Sequence, residues 1–326
     1  MPRTRTLTTL TLALAALLTT TPTAKAEAAP RTPACRAARH PALAGQLTRD
    51  LRTALAGRRG TVSLAVHDDR TGLDCTLTPR TRYDAASLVK VLMMEATLRR
   101  AQSRGRGPTA WERDNLGPMI RRSDNAAAGR LWNDLGRTRL GTTLTQAGAT
   151  RTVLGPYGYW GLTRTTAADQ LRLLGKLTAR RSFLTATSRA YGLKLMSEVR
   201  KNQRWGVPAG MPRGLRAHLK NGWLPRATHG WRIHSIGAFT GQGRTYRIAV
   251  LSHDNPSMAY GVRTVERVAQ AVHRTLNKGR AGGIGLTPPD EISEQSDGSV
   301  PQDAPDAPER PAWFAPGAAA RTARAR

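Results

Sequence analysis

Leucine recurs every fourth residue at 43, 47, 51 and 55, so the stretch 41–57 reads as an amphipathic helix with one apolar stripe. The period then changes. Residues 61–68 alternate like a strand, 68–72 carry turn chemistry ending in Gly72, and 73–77 return as a second strand. From Ser87 to about Asn202 the spacing is helical throughout, with helices predicted near 86–102, 109–116, 124–134, 138–147, 166–179 and 186–201. Thr166 and Asp169 form a capping box at the start of the fifth of these. Strands return around 215–220, 231–239 and 246–252. A last helix spans about 261–277, with Val262, Val265, Val268, Ala269 and Val272 on one side.

Strands split around a helical insertion predict one α+β unit: an antiparallel sheet flanked by N- and C-terminal helices, with an inserted all-helical lobe at about 86–202. The junction of lobe and sheet is a natural cleft. The unit spans about 40–278, after a polar, Pro-containing leader at 27–39. Beyond it, 279–326 turns rich in Gly, Pro, Asp-Ala-Pro and Arg-Ala, a composition that predicts a disordered tail with Trp313-Phe314 as its one apolar point.

The first 26 residues have the layout of a secretory signal: Arg3 and Arg5, an apolar run from 7 to 18, and the small-x-small site Ala24-Lys25-Ala26. The alternative is an uncleaved membrane anchor, for which the run is short. This predicts a secreted protein, extracellular or associated with the cell wall, with no membrane contact after cleavage. In such a compartment Cys35 and Cys75 read as a disulfide; two free buried thiols are the alternative.

The formal charge of +29 changes this picture little. Lysine occurs only seven times; the rest of the positive charge is arginine scattered along the chain, and aromatics are 5%. Nucleic-acid binding calls for a clustered basic stripe with stacking aromatics, so no nucleic-acid partner is expected. Weak binding to anionic wall polymers is compatible with the charge.

Two of the scarce lysines fall in chemical motifs. Ser87 opens a helix with Lys90 three residues on, and i and i+3 share a helix face, within reach of each other. Leu88, Val89, Val91, Leu92 and Met93 surround Lys90 with apolar side chains. Burial lowers a lysine's pKa, and a neutral lysine can take a proton from serine. The bland reading is a helix N-cap serine. Downstream come Ser123-Asp124-Asn125 and, at the end of a strand, Lys220-Asn221-Gly222-Trp223.

Ser-x-x-Lys, Ser-Asp-Asn and Lys-x-Gly, in this order and on these elements, resemble the penicillin-recognising serine enzymes, above all the class A β-lactamases and related penicillin-binding proteins. The resemblance covers about 40–277. It implies a monomeric serine hydrolase with a β-lactamase/transpeptidase-like fold, no metal and no cofactor. Its partner would be a small-molecule β-lactam or a cell-wall peptide, and its role β-lactam breakdown and antibiotic resistance. Ser87 would be the nucleophile and Lys90 its base. Ser123 would relay a proton to the leaving nitrogen, and Lys220 would hold positive charge beside Ser123 and the substrate carboxylate. Asn125 would bind a substrate amide and the Lys90 side chain, Asn221 would donate to the carboxylate, and Gly222 would let a ligand approach the strand edge. The backbone N–H groups of Ser87 and Trp223 would form the oxyanion hole. Asp124 is expected to brace its own loop.

This chain departs from the family pattern in two places. Asn221 stands where a hydroxyl residue is usual. The interval 135–166, where class A enzymes carry the glutamate that activates the deacylating water, contains no Asp or Glu. A slow-deacylating penicillin-binding, peptidase or esterase type is therefore the alternative within the family. A non-catalytic wall-binding module is the alternative outside it. Arg232 and His234 share a strand face and are candidates to meet a substrate carboxylate. Tyr157, Tyr159 and Trp160 are candidates to line the cleft or, equally, to staple their own loop. His218, His229, His234 and His253 match no zinc spacing.

Overall fold

The computed structural model describes residues 32–301 and 304, except 157 and 281. The predicted signal segment and Trp313-Phe314 lie outside the described residues.

The first element was not expected. Within the leader, β1 (Ala34–Arg36) lies antiparallel to β3, with Cys35 opposite Cys75. The two form a disulfide, which decides between the two readings of the cysteines. A three-residue strand has no period to detect; its place is set by this cross-link. Next, α1 (Pro41–Leu55) starts on a proline, whose missing N–H is no loss in the first turn, and buries Leu47 and Leu51 completely. The hairpin β2 (Thr61–Asp68) and β3 (Leu73–Leu77) turns through Asp68, whose carboxylate accepts from the Thr71 N–H and hydroxyl.

The chain then leaves the sheet. β4 (Tyr83–Asp84) leads into a 3₁₀ turn, Ala86–Leu88, and then α2 (Val89–Ser103). The lobe continues with α3 (Ala110–Arg121) and α4 (Asn125–Ala147). Two helices were expected in place of α4, and Gly136, at φ 68° and ψ 162°, breaks it between them. β5 (Arg164–Thr165) pairs with β4, drawing residues 158–163 alongside the approach to Ser87. α5 (Ala167–Thr178), capped by Thr166, and α6 (Ala186–Ser197) complete the lobe.

The return is β6 (Arg216–Pro225), β7 (Trp231–Gly241), β8 (Arg244–Asn255) and α7 (Met258–Leu276). The antiparallel sheet runs β1-β3-β2-β8-β7-β6, so the two halves of the chain join where β2 pairs with β8 and β6 forms an edge. One apolar core lies between the sheet and the helices α1 and α7, and includes Val262, Val265, Val268, Ala269 and Val272. The other joins the opposite face to the lobe around α2.

Helix α2 is buried on nearly every side, as its apolar sequence requires. That burial includes Glu95, whose two carboxyl oxygens have no hydrogen-bond partner among the described residues. Desolvation pushes its pKa well above the ordinary carboxyl range, so it is held protonated. The unfolded chain ionises this group above about pH 4.5, so Glu95 costs increasing stability as pH rises. Glu95→Met is expected to stabilise the protein by about 1–3 kcal/mol at neutral pH, and by less at pH 4.5. Urea unfolding at the two pH values measures this; a gain independent of pH would contradict it.

The tail also departs from expectation. Its described part does not leave the domain. Thr287 donates its N–H and hydroxyl to Glu266 of α7. Glu294 accepts from the Met258 and Ala259 N–H groups, placing a carboxylate on the positive end of α7. No helix among the described residues is long and apolar enough to cross a membrane.

Candidate active site

Ser87 lies in the 3₁₀ turn ahead of α2, not inside the helix, and the preceding Ala86 is held at φ 48°. A non-glycine residue in this region is strained, and such strain persists where surrounding structure fixes it. Here it ends β4 abruptly and aims the Ser87 N–H out of the turn. Lys90 follows one turn later and is fully buried.

The expected Ser87–Lys90 hydrogen bond is not formed. Lys90 Nζ donates to Ser123 O at 2.6 Å, Ser123 Oγ at 3.0 Å and Asn125 Oδ1 at 2.7 Å. Among the described residues the buried Ser87 Oγ has no partner. Burial lowers the Lys90 pKa to about 8, against the opposing pull of Asp297 and Asp124. The Trp160 ring lies 4.9 Å from Nζ, so one of the candidate aromatics does reach this group.

Ser123 sits at φ 56° between α3 and α4. Asp124 caps α4 by accepting from the Ala127 N–H, the brace expected of it. Ser123 Oγ accepts from Lys220 Nζ as well, at 2.9 Å, so two lysines meet on one hydroxyl. Lys220 is fully desolvated, and burial followed by the nearby Lys90 charge holds its pKa well below the ordinary lysine range. With both ammonium groups donating to it, the Ser123 hydroxyl is left to direct its own proton elsewhere.

The strand β6 completes the site at Gly222. A Cβ there would stand 2.9 Å from Ala85 O, 2.9 Å from Ser87 N and 3.0 Å from Leu88 N. The close approach expected of Gly222 is therefore made by the serine's own turn. It brings the Ser87 and Trp223 N–H groups together, and both point at Asp297 Oδ2, at 3.0 and 3.3 Å. These are convergent donors of the kind that stabilise an oxyanion.

Three expected ligand contacts are not available. Asn221 turns away from the cleft and gives both amide hydrogens to the Gln203 and Trp205 carbonyls, anchoring that loop. Alternation along β6 sends it to the face opposite Lys220. Arg232 pairs with Asp84 and also bonds the Thr228 and Gly230 carbonyls. His234 bonds the Asp84 carbonyl and accepts from the Ser252 N–H; burial lowers its pKa to about 3. Both residues fasten β7 to the strand that leads into Ser87. His218 is likewise buried, between the Leu193 carbonyl and Thr240 Oγ1. Elsewhere, His229, His253 and Asp254 bring ligand atoms within 4.8 Å of one another, a grouping that could hold a metal ion.

Sequence reasoning missed Asp297. It assigned no chemistry to the tail, where the available signal was the run of acids Asp290, Glu291, Glu294 and Asp297 in a basic chain.

The layered fold is the β-lactamase/transpeptidase-like class, and comparison with solved structures agrees. A mutant of the class A β-lactamase of the last common ancestor of Gram-negative bacteria matches with a TM-score of 0.61 and 21% identity, over 72% of this chain and 99% of that one. The β-lactamase of Sphaerobacter thermophilus matches with a TM-score of 0.60 and 19% identity, over 71% and 96% of the two chains. A mutant of PBP-A, solved as its acyl-enzyme complex with penicillin G, matches with a TM-score of 0.61 and 18% identity, over 72% and 97%. A search of curated proteins found no match. The β-lactamase enzyme family matches residues 112–276. The chain belongs to the β-lactamase enzyme family, and is a serine hydrolase of the β-lactamase-like type.

Proposed function

We propose that the protein is a secreted acyl-enzyme hydrolase that opens β-lactam amides on Ser87. The observation that carries this reading is the convergence of Ser87, Lys90, Ser123, Asn125 and Lys220 beside two backbone N–H groups aimed at one point. Neutral Lys90 takes the Ser87 proton, through a water or after a small shift of its side chain. Ser87 Oγ then forms the ester bond to the lactam carbonyl, whose oxygen lies between the Ser87 and Trp223 N–H groups. The C–N bond breaks, and the nitrogen receives its proton through Ser123. Lys220 attracts the substrate carboxylate, and Asn125 binds its side-chain amide. No cofactor enters the scheme. The Cys35–Cys75 disulfide supports an oxidising, extracellular address.

Deacylation is the slow step in this reading. The 135–166 loop offers no carboxylate to activate water, and Lys90 is left as the base. The penicillin-binding type of enzyme, which releases its acyl group slowly, is the reading this loop favours. Prolonged incubation with a chromogenic cephalosporin, followed by intact-mass measurement, tests it. The expected result is a lasting adduct on Ser87 with little colour, absent in Ser87→Ala. Rapid turnover would assign an efficient β-lactamase. Neither adduct nor turnover, in the wild type and in Asp297→Ala alike, would remove the acyl-enzyme reading.

A further inference from the structure

The catalytic cleft is occupied by the chain's own tail. β6 is an edge strand, and the tail makes one main-chain hydrogen bond to it. Asp297 N–H donates to Trp223 O at 3.0 Å, while Trp223 N–H donates to Asp297 Oδ2. Asn125 Nδ2 donates to Asp297 O at 2.9 Å, and Trp223 Nε1 donates to Gln295 O at 2.8 Å. Beyond it, Val300 and Ala304 pack with Ala86, Leu162 and Leu224, and Ser299 O lies so close to Gly161 that no side chain fits there. The tail thus touches both cleft walls, the β6 edge and the 160–162 segment.

We infer that residues 293–301, with Ala304, are an internal peptide ligand of this cleft, holding a carboxylate in the oxyanion hole and slowing acylation of Ser87 until displaced. The inference rests on the cleft being the substrate site, as proposed above. It also names the ligand class: an acidic peptide that hydrogen-bonds Trp223 and Asn125.

The chemistry explains why the tail binds without reacting. The group at the oxyanion position is a carboxylate, and an anion of this kind is not electrophilic. Its negative charge matches the one that develops on a lactam oxygen, and two N–H donors to an anion make charge-assisted bonds. Asp297 also opposes the downward shift of both Lys90 and Lys220, so the buried lysines and the tail carboxylate stabilise one another. Asp297 is badly placed to serve as the missing deacylation base, because its oxygen sits where the substrate oxygen must go. Tethering keeps the effective concentration of such a ligand at about millimolar or above. The anchors at Glu266 and Glu294 shorten the tether further.

Two full-length variants test this. Asp297→Ala removes the anion. Gly298→Val acts on the backbone, because Gly298 holds φ 69° and a Cβ there would lie 2.8 Å from Asn125 Nδ2. Labelling by a fluorescent penicillin is expected to be at least tenfold faster in both than in the wild type. A synthetic peptide of residues 293–304 is expected to slow labelling of Gly298→Val again. Amide exchange at Trp223, followed by NMR, reads occupancy without chemistry and is expected to be faster in both variants. Labelling at one measurable rate in wild type and variants overturns the inference, as does equal exchange at Trp223. If no protein labels while exchange still separates them, the tail occupies the cleft and the proposed acylation chemistry is what fails.

Discussion

Lys90→Met is expected to lower the rate of Ser87 acylation by about 10²–10⁴-fold, the usual range for loss of a general base, and Lys90→Arg is expected not to restore it. The argument starts from burial. Lys90 is enclosed by α2, Ser123 and Asn125, and its pKa falls to about 8. At pH 7 roughly a tenth of the molecules therefore carry a neutral amine, against a negligible fraction for an exposed lysine. The direction of the pH dependence follows. Acylation rises as pH increases through about 8 and levels off above it, because only the deprotonated amine accepts the serine proton. Arginine keeps its charge throughout this range, so the rise disappears along with the rate. Stopped-flow labelling between pH 6 and 10 measures both quantities. A Lys90→Arg enzyme that keeps the rise would assign the base to another group. Asp297→Ala should move the midpoint lower, since Asp297 is the first group holding the Lys90 pKa up.

Gly222→Ala is expected to reduce acylation by about 10²–10³-fold, the effect of losing one oxyanion donor, while the protein stays folded. The three atoms that a Cβ would crowd are all backbone. No rotamer change relieves backbone contacts, so β6 must withdraw from the Ala86–Leu88 turn. Withdrawal separates the Trp223 and Ser87 N–H groups, which now meet at one oxygen. The Ser123–Lys220 contact, set by the same strand two residues earlier, loosens with it. Circular dichroism and urea unfolding verify the fold, and penicillin labelling measures the rate. A folded variant that labels at the wild-type rate would show that Trp223 N–H contributes nothing to the reaction.

Much of this architecture is legible in local pattern. The helix and strand periods locate nearly every long element, because each repeats an apolar position against one core. Even the break in α4 was legible, since the helical spacing lapses around Gly136. Three features were not. β1 is too short to carry a period and is placed by its partner strand and the disulfide. Asn221 was read as a ligand from its motif position, whereas its contacts depend on the loop packed behind β6. The tail was read as disordered from composition, yet acids that look solvating in isolation find the positive end of α7 and the paired N–H groups of Ser87 and Trp223.

The sequence by itself determined the α+β layering, the apolar sheath of α2 and the placing of Ser87 and Lys90 one turn apart. These depend on neighbours within a few residues, and backbone geometry converts such spacing directly into proximity. Tertiary structure alone decided that Lys90 turns to Ser123 and Asn125, that Lys220 meets the same hydroxyl, and that Asp297 closes the cleft. Those contacts join segments far apart in the chain. They exist because β2 pairs with β8, bringing β6 against the lobe, and because the edge of β6 was left open for the tail to fill.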